Sequence, residues 1–147
     1  PKEVRRKATQ RLFESYVGVS EQVLARELYM SVPQMRIMAK VGMSFGGHGY
    51  SHEWIGTLPE QEQEFEIKRS MELVEEITGS TEDWVMCHPS NGCTELTICL
   101  LMKYGCVLGF KAEPGCVIDF EQPYELLRSD TNDLPVRVDA KSKSQSK

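Results

Sequence analysis

The sequence has no apolar segment of the roughly 20 residues that a membrane-spanning helix needs, and it has no excess of positive charge. Its 147 residues carry a net charge of −5, so neither nucleic acid nor an anionic membrane is expected as a partner. The opening segment, residues 1–7, is charged and no apolar stretch follows it, so a signal peptide is not expected. The five cysteines do not form a dense disulfide pattern. These absences predict a cytoplasmic protein with reduced thiols.

The chain length and composition are those of one globular domain. Hydrophobic residues make up 40% of the chain and charged residues 27%, and a chain of this length buries a substantial core. We expect a single domain over residues 1–140, whose first 30 residues form a helical N-terminal segment. The Lys/Ser/Gln-rich residues 141–147 are expected to be a disordered tail.

Apolar spacing and capping residues predict five helices, over residues 2–16, 20–29, 31–41, 57–78 and 94–104. Capping boxes are expected at Ser31 with Gln34 and at Thr57 with Glu60. The basic first helix is expected to be a solvated surface. The acidic run Glu60–Glu66 is also expected to be solvated and not to supply paired catalytic carboxylates.

Short apolar segments alternate with these helices and predict strands at residues 41–45, 84–87, 106–110 and 126–129. Alternation of this kind implies parallel pairing with right-handed crossovers. We therefore predict an α/β fold, a partial or distorted (β/α) barrel. The polar residues of chemical interest fall just after strands, at the edge where such folds bind ligands; they are His48, His52, residues 88–92, Lys111, Glu113 and Asp130.

Two of the three histidines lie four residues apart in a glycine-rich segment, Phe45–His52. Two imidazoles at this spacing can reach one metal ion if the backbone makes a single turn. The glycines let other groups approach the loop closely. The spacing therefore favours His48 and His52 as metal ligands. The alternative is that they are two loop histidines without a ligand.

Four segments between roughly residues 30 and 135 form a recognisable series: Gly42–His52, Glu76–Gly79, Met86–Gly92 with Thr94–Leu96, and Arg128–Pro135. In this order they resemble the motifs of the polysaccharide deacetylase family, the NodB-homology domains of carbohydrate esterase family 4.

That resemblance implies a distorted barrel of the deacetylase type and a divalent metal, usually zinc, held by an Asp and two histidines. It further implies hydrolysis of N- or O-acetyl groups on sugars or polysaccharides by metal-activated water, with an Asp as base and a late His as acid. His48 and His52 match the metal histidines. His88, Asn91 and Asp130 are the candidate substrate-binding residues.

The sequence departs from the family pattern where the catalytic residues are expected. Residues 1–47 contain no Asp, so the motif that supplies the base and the metal Asp is missing, and no His follows His88. The third motif lacks its usual Arg and Tyr. We therefore expect a fragment or a degenerate member, and the catalytic residues stay unassigned.

These departures leave alternatives open. Glu113 or Asp130 is a candidate third metal ligand, although either is also an ordinary loop carboxylate. His88 is a candidate third nitrogen ligand or a turn histidine, and Cys87, His88 and Cys93 are a weaker candidate for a structural zinc site. The chain is either a metal-dependent deacetylase or an inactive barrel remnant that binds carbohydrate or protein. Unpaired strand edges in a partial barrel predict a homo-oligomer.

Overall fold

The computed structural model describes residues 2–115 and 118–133. Five α-helices lie in this part of the chain: α1 Lys2–Tyr16, α2 Glu21–Leu28, α3 Val32–Lys40, α4 Glu60–Thr78 and α5 Glu95–Lys103. Three-residue 3₁₀ turns occur at Ile55–Thr57, Pro89–Asn91 and Thr131–Asp133. No helix among the described residues combines the length and apolar character that crossing a bilayer demands. The predicted tail at 141–147 lies outside the described residues.

Two short parallel strands form the centre of the fold. β1, Val85–Cys87, pairs in register with β2, Leu108–Phe110, so that Met86 lies opposite Gly109. One residue extends the row on each side, because Gly47 bridges to Met86 and Leu126 bridges to Phe110, both in parallel. The order across the sheet is therefore Gly47, β1, β2, Leu126.

The strand predicted at residues 41–45 is wrong for the described structure. Val41 is the C-terminal cap of α3, and Gly42 continues the turn with φ +95°. Pairing with β1 begins only at Gly47, whose N–H donates to the Val85 carbonyl at 2.8 Å. The apolar character of Val41 and Met43 does not reflect burial, since both side chains are exposed. The strand predicted at 126–129 is likewise reduced to the single bridge at Leu126.

The α/β class of the prediction is confirmed in part. The described residues contain helices and a small parallel sheet, and the crossover from β1 to β2 runs through α5. A closed barrel is not formed within residues 2–115 and 118–133.

One hydrophobic core joins α4, the sheet and α5. Its most deeply buried members are Ile55, Ile67, Trp84, Met86 and Leu101, each at most 1% exposed. Burying each such side chain is worth about 1.5–3 kcal/mol. The indole of Trp84 donates to the Tyr104 carbonyl at 2.8 Å, so its polar nitrogen is satisfied inside the core.

The helix ends follow local sequence signals in most cases. Gly79 ends α4 in the left-handed region with φ +81°, as predicted. Gln34 reaches back to the Ser31 amide at 2.8 Å, which confirms the first capping box. The second does not form, because the N-cap of α4 is Pro59 and the Thr57 hydroxyl donates to the Trp54 carbonyl instead.

The N-terminal helices pack loosely against the rest of the described chain. No residue of α2 is buried, and the apolar side chains Val4, Leu12 and Tyr16 of α1 are 60–84% exposed. The predicted solvated character of the basic first helix is consistent with this exposure. Among the described residues, the first member of the buried hydrophobic core along the chain is Ile55.

Candidate functional site

His48 and His52 lie together at the carboxyl end of the parallel row. His48 directly follows Gly47, the residue that pairs with β1. Both side chains are exposed, and their ring centroids are 4.8 Å apart with the ring planes at 78°. The fold thus brings together the two rings that the sequence put forward as ligands.

A backbone contact fixes the tautomer of His48. Its Nδ1 lies 2.8 Å from the Cys87 carbonyl oxygen at the end of β1. A carbonyl only accepts, so Nδ1 must carry the proton and donate. The lone pair is then on Nε2, which is the arrangement in which metal-binding histidines donate their other nitrogen to a carbonyl.

The segment between the two histidines is held by a buried carboxylate. Glu66 Oε2 accepts from the backbone N–H groups of Tyr50 and Ser51, at 2.8 and 2.7 Å. The Glu66 residue is only 4% exposed. The expectation that all of Glu60–Glu66 is solvated is therefore wrong at Glu66. Its neighbours at helical spacing on α4 explain why, because Gln63, Ile67 and Ser70 are buried on the same face.

His88 is fully buried, at 0% exposed. Its Nε2 donates to the Tyr124 carbonyl at 2.7 Å, while Nδ1 has no hydrogen-bond partner among the described residues. Burial lowers the pKa of His88, and its hydrogen bond to Tyr124 opposes this shift only in part. His88 is thus a neutral interior imidazole, and its predicted contact with substrate finds no exposed surface here.

Asn91 and Asp130, the other predicted substrate-binding residues, have local partners. Asn91 has a left-handed backbone with φ +59°, and its amide oxygen accepts from the Ala112 N–H. Asp130 is exposed and accepts from the Asn132 backbone at 2.8 Å; this bond lowers the Asp130 pKa. The Asn91 contact joins the segments that follow β1 and β2, whereas the Asp130 contact is local to its own loop.

No third metal ligand accompanies the histidine pair in the described chain. Across residues 2–115 and 118–133, no three His, Cys, Asp or Glu side chains cluster where they could hold a metal. The candidates Glu113 and Asp130 therefore do not complete such a cluster, and neither does the set Cys87, His88 and Cys93. Burial raises the Cys93 pKa to about 11, so this thiol is protonated at neutral pH.

A surface cavity of about 590 Å³ lies away from the histidines, between α3, the end of α4 and the start of β1. Its lining includes Arg36, Lys40, Phe45, Thr78 and Trp84. It contains neither His48 nor His52, and therefore does not define the site.

Comparison with known proteins identifies the class to which this arrangement belongs. The sequence profile of the polysaccharide deacetylase family matches residues 3–108, which is more than half of the chain. The chain therefore belongs to the polysaccharide deacetylase family. The motifs predicted a resemblance over residues 30–135, whereas the match starts at residue 3 and ends at residue 108. The matched region therefore includes the N-terminal helices.

A solved structure shares the fold. It is a Streptococcus pyogenes deacetylase, PplD, in complex with acetate, and it matches with a TM-score of 0.63 at 20% sequence identity. The match covers 80% of this chain and 48% of PplD, so the chain spans about half the length of that relative. The comparison with curated proteins gave no match.

The sequence reasoning missed Glu66 as a residue of the site. The available signal was its spacing, since Gln63, Glu66 and Ser70 follow the same helical face as the apolar Ile67 and Val74. A polar residue on a buried stripe needs a partner. The identity of that partner, the backbone of Tyr50 and Ser51, depends on tertiary contact.

Proposed function

We propose that this chain contributes the histidine pair of a metal-dependent deacetylase that removes N- or O-acetyl groups from sugars or polysaccharides. The observation that carries the proposal is the Nδ1 contact of His48 with the Cys87 carbonyl, which leaves Nε2 available beside the His52 ring. Membership of the polysaccharide deacetylase family supports the substrate class.

The side chains fit a divalent cation, preferably zinc, as a two-histidine donor set. His48 and His52 would hold the ion, and a further oxygen or nitrogen ligand is required for a stable tetrahedral site. When bound, such an ion would act as a Lewis acid and activate water for attack. The contribution of the chain itself is to fix the His48 ring through Cys87 and to keep both rings exposed at the sheet edge.

The groups that would move protons lie elsewhere. The sequence has no Asp before Asp83 and no His after His88, so it lacks counterparts of the aspartate pair and the late histidine that the resemblance assigns to catalysis. Turnover on our proposal requires those groups from another segment or subunit. Asn91 and Asp130 stay candidates for substrate contact.

A second candidate is an inactive family member that binds carbohydrate or a protein partner. The observation that favours it is the absence of a three-ligand cluster among the described residues. Two imidazoles alone hold zinc weakly. The two candidates differ in metal binding and in acetate release.

Zinc titration of the purified chain tests the proposal. We expect about one zinc per chain, and a loss of affinity of at least about 100-fold in His48→Ala and in His52→Ala, because each removes a direct ligand. The control is Ser51→Ala, which keeps the backbone of the same loop. Acetate release from chitin oligomers and from acetylated xylan then separates N- from O-deacetylation.

Metal affinity that is identical in wild type and both histidine variants would overturn the metal site. Zinc binding that depends on both histidines without acetate release, even in the presence of a segment or subunit that supplies the missing aspartates and histidine, would favour the inactive binding module.

A further inference from the structure

The loop between the two histidines has a backbone conformation that other contacts must stabilise. Gly49 has φ +75° and His52 has φ +56°, so both ends of the segment 49–52 lie in the left-handed region. A histidine in this region is uncommon, and such a conformation persists only when surrounding contacts over-determine it. The loop geometry, and with it the separation of the two rings, therefore depends on anchoring contacts.

One face of α4 provides those contacts. Glu66 Oε2 accepts both the Tyr50 and Ser51 N–H groups, and one oxygen thereby fixes two successive peptide units. Hydrogen bonds to a carboxylate are roughly twice as strong as bonds between neutral groups. An added Cβ at Gly49 would lie 3.4 Å from the same oxygen. The carboxylate is thus packed directly against the segment that joins His48 to His52.

Two further residues of α4, Phe65 and Arg69, contact the same loop. The Phe65 ring meets the Tyr50 ring edge-on with centroids 5.6 Å apart, and the Arg69 guanidinium lies 5.2 Å from the Tyr50 centroid. Positions 65, 66 and 69 share one helix face because residues three and four apart are neighbours. Ile67, the next residue on α4 after Glu66, is buried in the core, so this part of the helix is anchored to the core.

We propose that Glu66 is a positioning residue whose buried carboxylate sets the loop conformation that holds His48 and His52 together. The inference rests on the proposed function only where it concerns the metal. Glu66 acts through the backbone of residues 50 and 51 and is not itself a ligand of the ion. Its role is preorganisation of the ligand pair before any ion binds.

The test compares Glu66→Ala and Glu66→Gln with Glu75→Ala, which removes an exposed carboxylate from the same helix. The first readouts use the metal-free protein: amide hydrogen exchange at Tyr50 and Ser51, and the NMR ring signals of His48 and His52. In Glu66→Ala we expect exchange at both amides to accelerate at least about tenfold, because their acceptor is lost. Both ring signals should shift, while core amides of α4 stay protected.

The second readout is affinity for Zn²⁺ alone. We expect a loss of about 10–100-fold in Glu66→Ala, the range found when residues that orient metal ligands are removed. Glu66→Gln keeps an acceptor oxygen of similar reach and should recover part of both effects. Glu75→Ala should match wild type in every readout.

Unchanged exchange at Tyr50 and Ser51 in Glu66→Ala would overturn the proposal, and so would accelerated exchange without a change in the histidine ring signals. If Glu66→Ala does not fold, Glu66→Gln decides: a several-fold rise in exchange supports the proposal and wild-type exchange refutes it. Failure of wild-type protein to bind zinc would overturn the proposed function but leave the metal-free test of Glu66 valid.

Discussion

Two histidine-bearing segments leave the same edge of the sheet and end in opposite environments. His48 follows Gly47 and is exposed, whereas His88 follows β1 and is 0% exposed. Each ring has one nitrogen near a backbone carbonyl, Cys87 for His48 and Tyr124 for His88. The second nitrogen of His48 lies on an exposed ring, whereas that of His88 is enclosed and has no hydrogen-bond partner in the part of the chain that the structure describes.

A fixed tautomer is therefore not enough to make a histidine a ligand. Both imidazoles donate to a carbonyl, yet only the exposed ring can present its lone pair to an ion or a substrate. Burial converts the other ring into a structural element that links β1 to the segment at Tyr124. Position after a strand therefore predicts where functional groups gather but not which of them are accessible.

The largest expected effect separates the two histidines by stability. His88→Ala removes a buried ring and leaves the Tyr124 carbonyl without its donor, so we expect a loss of about 2–4 kcal/mol in the free energy of unfolding. His48→Ala removes an exposed ring and should cost no more than about 1 kcal/mol. Urea unfolding of both variants measures the difference. Equal losses of stability would show that His88 contributes no more to folding than His48 does.

A smaller effect is expected from the backbone of the first segment. Gly49→Ala places a Cβ at a position with φ +75°, 3.3 Å from Pro89 Cγ, and should cost about 1–2 kcal/mol. Gly18→Ala is the matched control, since no atom lies within 4 Å of its added Cβ. Urea unfolding is again the measurement. A Gly49→Ala protein as stable as the Gly18→Ala protein would show that the loop relaxes freely.

The smallest effect concerns pH. Burial holds the pKa of His88 below its unfolded value of about 6.5. As pH falls, the unfolded chain therefore takes up a proton before the folded protein does. The stabilisation is fully present above about pH 6.5 and is lost as pH falls toward the folded pKa, at up to about 1.4 kcal/mol per pH unit.

The measurement is urea unfolding at about pH 7.5 and about pH 5.5, a range in which ordinary carboxylates stay ionised. His88→Gln, which keeps a donor toward Tyr124 but does not titrate, is the comparison. We expect the wild type to lose more stability than this variant on acidification. An equal loss in both proteins would assign the pH dependence to other groups.

The helices and the proximity of His48 and His52 were predictable because their signals are local. Ser31 with Gln34 and the glycine at 79 mark helix ends in the sequence itself. The four-residue spacing of His48 and His52 was likewise visible, and the fold does bring the rings together.

The missed features depend on tertiary contacts. Val41 and Met43 are apolar but exposed, so the predicted strand was not formed there. The prediction that all of Glu60–Glu66 is solvated fails at Glu66, because its carboxylate accepts from a loop 15 residues away in sequence. The contact of His48 with Cys87 depends on the pairing of Gly47 with β1.

One tryptophan is buried and the other is exposed, so their fluorescence reports on two different regions of the protein. Trp84 is 1% exposed within the core, whereas Trp54 is 60% exposed and lies two residues after His52. Emission from Trp84 should be blue-shifted and report global unfolding, while emission from Trp54 should be red-shifted and respond to quenchers in solution. Replacing either one by Phe gives a protein with a single tryptophan, either in the interior or beside the histidine loop.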